Sequence, residues 1–248
     1  MFRLSRFRTI SLVALISGIA YGQDITMFRL RTLFSSFVAD STSPPEPFGY
    51  KMGWIAVRST DLKAVASSIP LRSQSSASWH DGIAAAYKGA GALNDDTVFI
   101  APPIDGWICL IGRWAAGADS KRADDRNEVE RASTRVADLS SRFGVAQGYA
   151  THRVVEYRHW IRAEQGRVVR CFAVVRCFAY VGESGEFPCH SGSVTSAETK
   201  LPYANLPFDS WLAGEEDVMT VAGGWSFDPT KLSPSSGPAA SGILGRLK

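Results

Sequence analysis

Residues 147–163 and 167–181 are two long β-rich runs separated only by Glu164-Gln165-Gly166. So short a connection folds the runs back as an antiparallel hairpin, and a hairpin is stable only when further elements cover its apolar face. This commits the second half of the chain to a sheet. Within the second run, Val168-Val169-Arg170-Cys171-Phe172-Ala173 is followed at once by an identical copy, residues 174–179. Side chains alternate along a strand, so an insertion of even length keeps every later residue on its original face. One face then carries Val169, Cys171, Ala173, Val175, Cys177, Ala179 and Val181, all apolar. The copy lengthens the strand by about 20 Å at 3.3 Å per residue.

Upstream, residues 54–57 form a short apolar run of strand type. Thr60 or Asp61 caps a helix with Leu62, Val65, Ala66 and Ile69 at helical spacing, and Pro70 stops it. Ser78-Trp79-His80-Asp81 opens a second helix through Tyr87. Residues 97–101 and 107–112 flank Asp105-Gly106, a strong hairpin turn. The steps Val129, Ala132, Val136, Leu139 and Phe143 mark the strongest helix, with Gly144 placed for a left-handed cap. Strand, helix, strand, strand, helix, strand is the split β-α-β order. The expected fold is therefore α+β: a ferredoxin-like antiparallel sheet with helices on one face and an extra long hairpin. Residues 183–213, rich in Gly, Ser and Pro, read as irregular structure laid over the core, and Glu215-Glu216-Asp217 starts a short helix.

The chain has 248 residues, 45% hydrophobic and 21% charged, which excludes a disordered chain and a disulfide scaffold with its four Cys. No apolar run reaches the roughly 18 residues of a membrane-spanning helix. The net charge of +3 belongs to Arg3, Arg6 and Arg8, so the body is near neutral and has no general drive toward nucleic acid. Residues 1–26 read as a leader. Basic residues 1–8, apolar residues 10–20 and Ala20-Tyr21-Gly22 have the layout of a secretory signal over residues 1–22. Met27-Phe28-Arg29-Leu30 repeats Met1-Phe2-Arg3-Leu4 and offers a downstream start instead. A signal places the protein in the periplasm or outside the cell; cysteine usage leans toward the cytoplasm. Residues 27–49 read as a linker, 50–232 as a single domain and 233–248 as a disordered tail.

Catalytic motifs are not found. The sequence has no GxSxG, P-loop, HExxH, GxGxxG or CxxC, and no motif calls for a cofactor. Cys171 and Cys177 stand some 20 Å apart on one strand face, beyond the roughly 7 Å a disulfide spans. His152 and His159, seven apart, fall on opposite faces of one strand and make a poor metal pair. Glu156 and Glu164 have Arg153, Arg158 and Arg162 beside them and read as ion-pair partners rather than a catalytic pair.

What stands out is a strand crowded with aromatic and arginine side chains. Tyr157, Arg158, Trp160 and Arg162 are residue types that dominate protein–protein hot spots, and Trp107 at the Asp105-Gly106 turn is a further candidate. These five are the candidate binding residues toward a protein partner; the first four are expected to be partly exposed, whereas Trp107 reads more readily as a core anchor. The competing reading is that they cover the sheet and pack under residues 183–213.

The strings Tyr50-Lys51-Met52-Gly53-Trp54, Ala101-Pro102-Pro103-Ile104-Asp105-Gly106-Trp107, Leu139-Ser140-Ser141-Arg142-Phe143-Gly144, Glu216-Asp217-Val218-Met219 and Trp225-Ser226-Phe227-Asp228-Pro229 form a set. Together they resemble a group of bacterial proteins with a PPxDGW, LSxxFG, EExVM and WSxDP layout, over roughly residues 50–232. The resemblance implies no activity, catalytic residue or cofactor. By analogy such small proteins are similar to immunity proteins of toxin systems. The expected function is a non-enzymatic binding protein, an immunity or accessory factor; the alternative is a small-substrate hydrolase or transferase without a recognisable motif.

Overall fold

The computed structural model describes residues 42–88, 96–118, 128–154, 156–174, 189–207, 211 and 213–248. They belong to the second of two units, residues 41–248. The leader, residues 89–95 and the second copy of the duplication beyond Val174 lie outside the described residues.

Nine strands form one sheet: β1 (Gly53–Arg58), β2 (Leu71–Ala77), β3 (Thr97–Ile100), β4 (Trp107–Ile111), β5 (Val145–His152), β6 (Tyr157–Glu164), β7 (Arg167–Val174), β8 (Cys189–Ser191) and β9 (Gly242–Leu247). Their order is β2-β9-β3-β4-β1-β5-β6-β7-β8, and all the pairings are antiparallel. Four helices accompany it among the described residues: α1 (Leu62–Ser67), α2 (Trp79–Lys88), α3 (Glu128–Phe143) and α4 (Glu215–Trp225). The fold is thus α+β.

Local signals explain several boundaries. The Asp61 carboxylate accepts from Ala64 N at 2.9 Å and caps α1. Gly144, at φ 82°, ends α3 with its N–H on Ser140 O at 2.8 Å. Two of the hairpin turns, Asp105-Gly106 and Gln165-Gly166, have two residues in the left-handed region, which matches the twist of the flanking strands.

The helices cover both faces of the sheet, not one. On the first face Trp54, Phe99, Cys109, Tyr149, Trp160 and Phe172 pack with Trp79 of α2 and Val218, Met219, Ala222 and Trp225 of α4. On the second, Ile55, Val57, Ile100, Leu110, Ile161 and Cys171 pack with Val65 of α1 and Ala132, Val136 and Leu139 of α3. The reason is legible in the central strands. β4 reads Trp-Ile-Cys-Leu-Ile with every residue buried, and a strand apolar on both sides needs cover on both.

Three further expectations are corrected. Residues 147–163 are not one strand: β5 ends at His152 and β6 begins at Tyr157, with Glu156 at φ 49° and His152 facing Tyr157 across the new hairpin. His152 and His159 consequently sit on different strands. Residues 233–248 are not a disordered tail, because β9 lies inside the sheet between β2 and β3. Nor are residues 42–49 a free linker. Phe48 is buried edge-on to Trp54 at 5.8 Å, and Ser43 bridges Ala240. Polar β2, with residues 72–76 exposed, carries no apolar alternation by which it could be read.

Candidate functional site

β6 alternates as a strand must, and this divides the expected binding residues. Arg158, Trp160 and Arg162 project to the first face, and Tyr157 to the second with His159 and Ile161. Trp160 is fully buried, stacked on Phe172 with centroids 4.0 Å apart and planes 13° from parallel. Tyr157 is buried and donates from Oη to Ala116 O at 2.7 Å. That bond uses its one proton, so His159 Nδ1, 2.9 Å away, is the donor of their contact. His159 is fully buried and burial pulls its pKa down to about 3. Trp107 is buried under the Arg58 guanidinium at 5.2 Å. Only Arg158 and Arg162 stay half-exposed; Arg162 donates to Glu164 at 2.9 Å and lies over Trp225. The expectation that Tyr157 and Trp160 are partly exposed is corrected: α4 and the segment following β8 cover the first face, and Ala116 and Val129 pack on Tyr157. Trp107 is buried, as its reading as a core anchor has it.

Sequence reasoning missed what sits beside Trp160. Arg170 of β7 and Glu198 form an ion pair with relative exposures of 1% and 0%. Arg170 Nε donates to Glu198 Oε1 at 2.8 Å and Oε2 at 3.1 Å, and Nη2 to Oε1 at 2.5 Å. Its Nη1 donates to Ser191 O at 3.0 Å and His190 Nδ1 at 3.0 Å. Glu198 also accepts from Thr195 N, Thr195 Oγ1 and Trp160 Nε1, each at 2.8 Å. Burial by itself raises the Glu198 pKa, but the bonds from Arg170, Thr195 and Trp160 outweigh it and hold the carboxyl below its ordinary value. His190 is pulled down to about 4, by burial first and the Arg170 charge second. The Glu198 carboxylate and the Arg170 guanidinium make their bonds inside the fold, clamping the short 3₁₀ turn Glu198–Lys200 onto the sheet.

That turn forms one wall of an open cleft of about 680 Å³, with Lys200 on its rim. α4 is the floor, contributing Met219, Thr220, Gly223 and Gly224. Two contacts fix α4 in place: Gln147 Nε2 donates to Trp225 O at 3.1 Å, and Tyr203 Oη donates to Asp217 at 2.6 Å. Gly224 is required by the packing, since a Cβ there would stand 2.4 Å from Ala197 Cβ. The opposite walls are the Ile104-Asp105 turn and residues 227–236. Asp228 caps the 3₁₀ turn Pro229–Lys231, accepting from Thr230 N at 3.0 Å, and pairs with Lys231 at 3.1 Å.

Three of the sequence strings meet here: Ile104 and Asp105 of the first, Met219 of the second, Phe227 and Asp228 of the third. The remaining strings serve the fold. Leu139 is core and Gly144 a helix cap, while Met52 and Trp54 are buried. The strings were visible in the sequence; their convergence is tertiary.

Among the described residues no group of three or more His, Cys, Asp or Glu could hold a metal ion, and no helix is long and apolar enough to cross a membrane. Cys109 and Cys171 are buried on opposite faces of the sheet, and burial pushes the Cys109 pKa up. His152 is half-buried; burial lowers its pKa, helped by the charges of Arg113 and Lys51. Compared with family models, curated proteins and solved structures, the chain matches none.

Proposed function

We propose that the chain is a non-enzymatic binding protein whose protein partner seats in the cleft between α4, the Asp105 turn and residues 227–236. The observation that carries this is the meeting of three sequence strings, at Asp105, Met219 and Asp228, around one open cavity. A concave opening lined by apolar groups with a few convergent polar side chains is the default place for a binding site. In its more specific form the proposal is an immunity or accessory factor of a toxin system, which rests on the family resemblance alone. The ferredoxin-like relation of the sheet is likewise proposed. It is supported by β4 and β5, which both run antiparallel to β1 and are joined through α3.

The test is affinity capture from a lysate of the native organism. Wild type is compared with Lys200→Glu/Lys231→Glu, which reverses the exposed charges of the cleft, and with Lys63→Glu on α1. A partner held by wild type and Lys63→Glu but lost with the double variant is the expected result. Equal capture by all three would remove the cleft from the reading.

A further inference from the structure

Gly223 and Gly224 are adjacent, exposed and helical, yet the fold explains only one of them. Gly224 cannot carry a side chain because Ala197 lies against it. Gly223 can. A Cβ built on it would meet Asp228 Cβ at 3.4 Å and Asp228 N at 3.7 Å, ordinary van der Waals distances, and its φ is not in the left-handed region. Glycine within a helix is less stable than alanine there, so this position gives up helix stability without a return inside the chain. Glycine at such a place lets another backbone come close. The surface above Gly223 is the floor of the cleft, with Thr220 one turn earlier and also exposed.

The walls add charge. Asp105 and Lys200 are both exposed, line the cavity from different elements, and neither makes an ion pair among the described residues. Lys231, by contrast, is engaged with Asp228. Beside the Asp228–Lys231 pair the site therefore offers one further group of each sign, Lys200 and Asp105, above a floor on which Gly223 carries no side chain.

Building on the proposed function, we infer that the cleft takes an extended polypeptide segment of the partner, its backbone lying against Gly223, with an acidic side chain toward Lys200 and a basic one toward Asp105. The exposed charges set orientation and selectivity; close contact along the floor supplies most of the affinity.

The full chain is tested against an array of short synthetic peptides in four classes: mixed charge, all acidic, all basic and neutral. Gly223→Ala and Thr220→Gln obstruct the floor with good helix formers. Mixed-charge peptides are expected to bind wild type, and each variant to lose about tenfold in affinity while its Tm stays level or rises. A fall in Tm for Gly223→Ala would show that the fold itself needs the glycine, and undiminished binding would show that the floor is not contacted; either overturns the inference. If no peptide class binds wild type, or one-sign peptides bind equally well, the inference also falls. Capture that still depends on Lys200 and Lys231 would then leave the proposed function standing with a different occupant. If capture is indifferent to those lysines, both fall.

Discussion

Arg170 and Glu198 lie 28 residues apart and meet where neither reaches solvent, the guanidinium making three contacts of 2.5–3.1 Å with the carboxylate. The pair joins strand β7 to the turn that builds one wall of the cleft, so the inside of the sheet and the outer site share one polar anchor. A buried ion pair adds little net stability over an apolar pair, since both charges have lost their water, but breaking it strands a charge.

Arg170→Met should therefore destabilise the protein by about 3–5 kcal/mol, because Glu198 is left buried without its counter-charge. Arg170→Met/Glu198→Met should recover much of that loss. Denaturant titrations of Arg170→Met, Glu198→Met and the double variant check this. Simple additivity of the single substitutions would contradict it.

Trp160→Ala should cost about 3–5 kcal/mol, the range for deleting a fully buried large aromatic. The stack on Phe172 is lost, and Glu198 loses the Nε1–H donor. Trp160→Phe should cost less. Thermal melts decide between this and the partly exposed role expected from the sequence, in which the alanine variant would be nearly as stable as wild type.

Stability should fall as pH drops from about 6.5 toward 3. His159 is held neutral in the fold, its pKa pulled from 6.5 to about 3, so across that window the unfolded chain binds the proton and the folded chain does not. One such group gives a slope of about 1.4 kcal/mol per pH unit, with stability complete above 6.5 and lost on acidification. His190 and His152, also lowered, act in the same direction. His159→Asn keeps a donor for Tyr157 and should flatten the curve measured by denaturation at several pH values. An unchanged slope would sink this assignment.

Removing residues 242–248 should abolish soluble expression. β9 pairs with β2 on one side and β3 on the other, so its loss opens the sheet, leaves β2 without a partner and leaves β3 paired with β4 alone. Far-UV circular dichroism of any soluble fraction checks the outcome. A tail outside the fold would be removed without effect.

The elements whose signals are local were legible in the sequence. Asp61 caps α1, Gly144 ends α3, and Asp105-Gly106 turns β3 into β4, because each depends on backbone geometry and hydrogen bonds within a few residues. The apolar step from Val129 to Phe143 belongs with them, since one helix face is set by spacing alone. Of the candidate site, the strings around Asp105, Met219 and Asp228 could be seen, but not that they enclose one cleft. Only the tertiary structure decided which side chains are covered. Trp160 and Tyr157 look like contact residues in a crowded strand, and it is packing from distant elements that buries them. β2 and β9 escaped notice for the same reason. A polar edge strand and a glycine-containing C-terminal strand carry no periodic signal, and they become strands by pairing with partners well over a hundred residues away. Pairing and burial are non-local, so the order of the chain leaves them open until the whole sheet has formed.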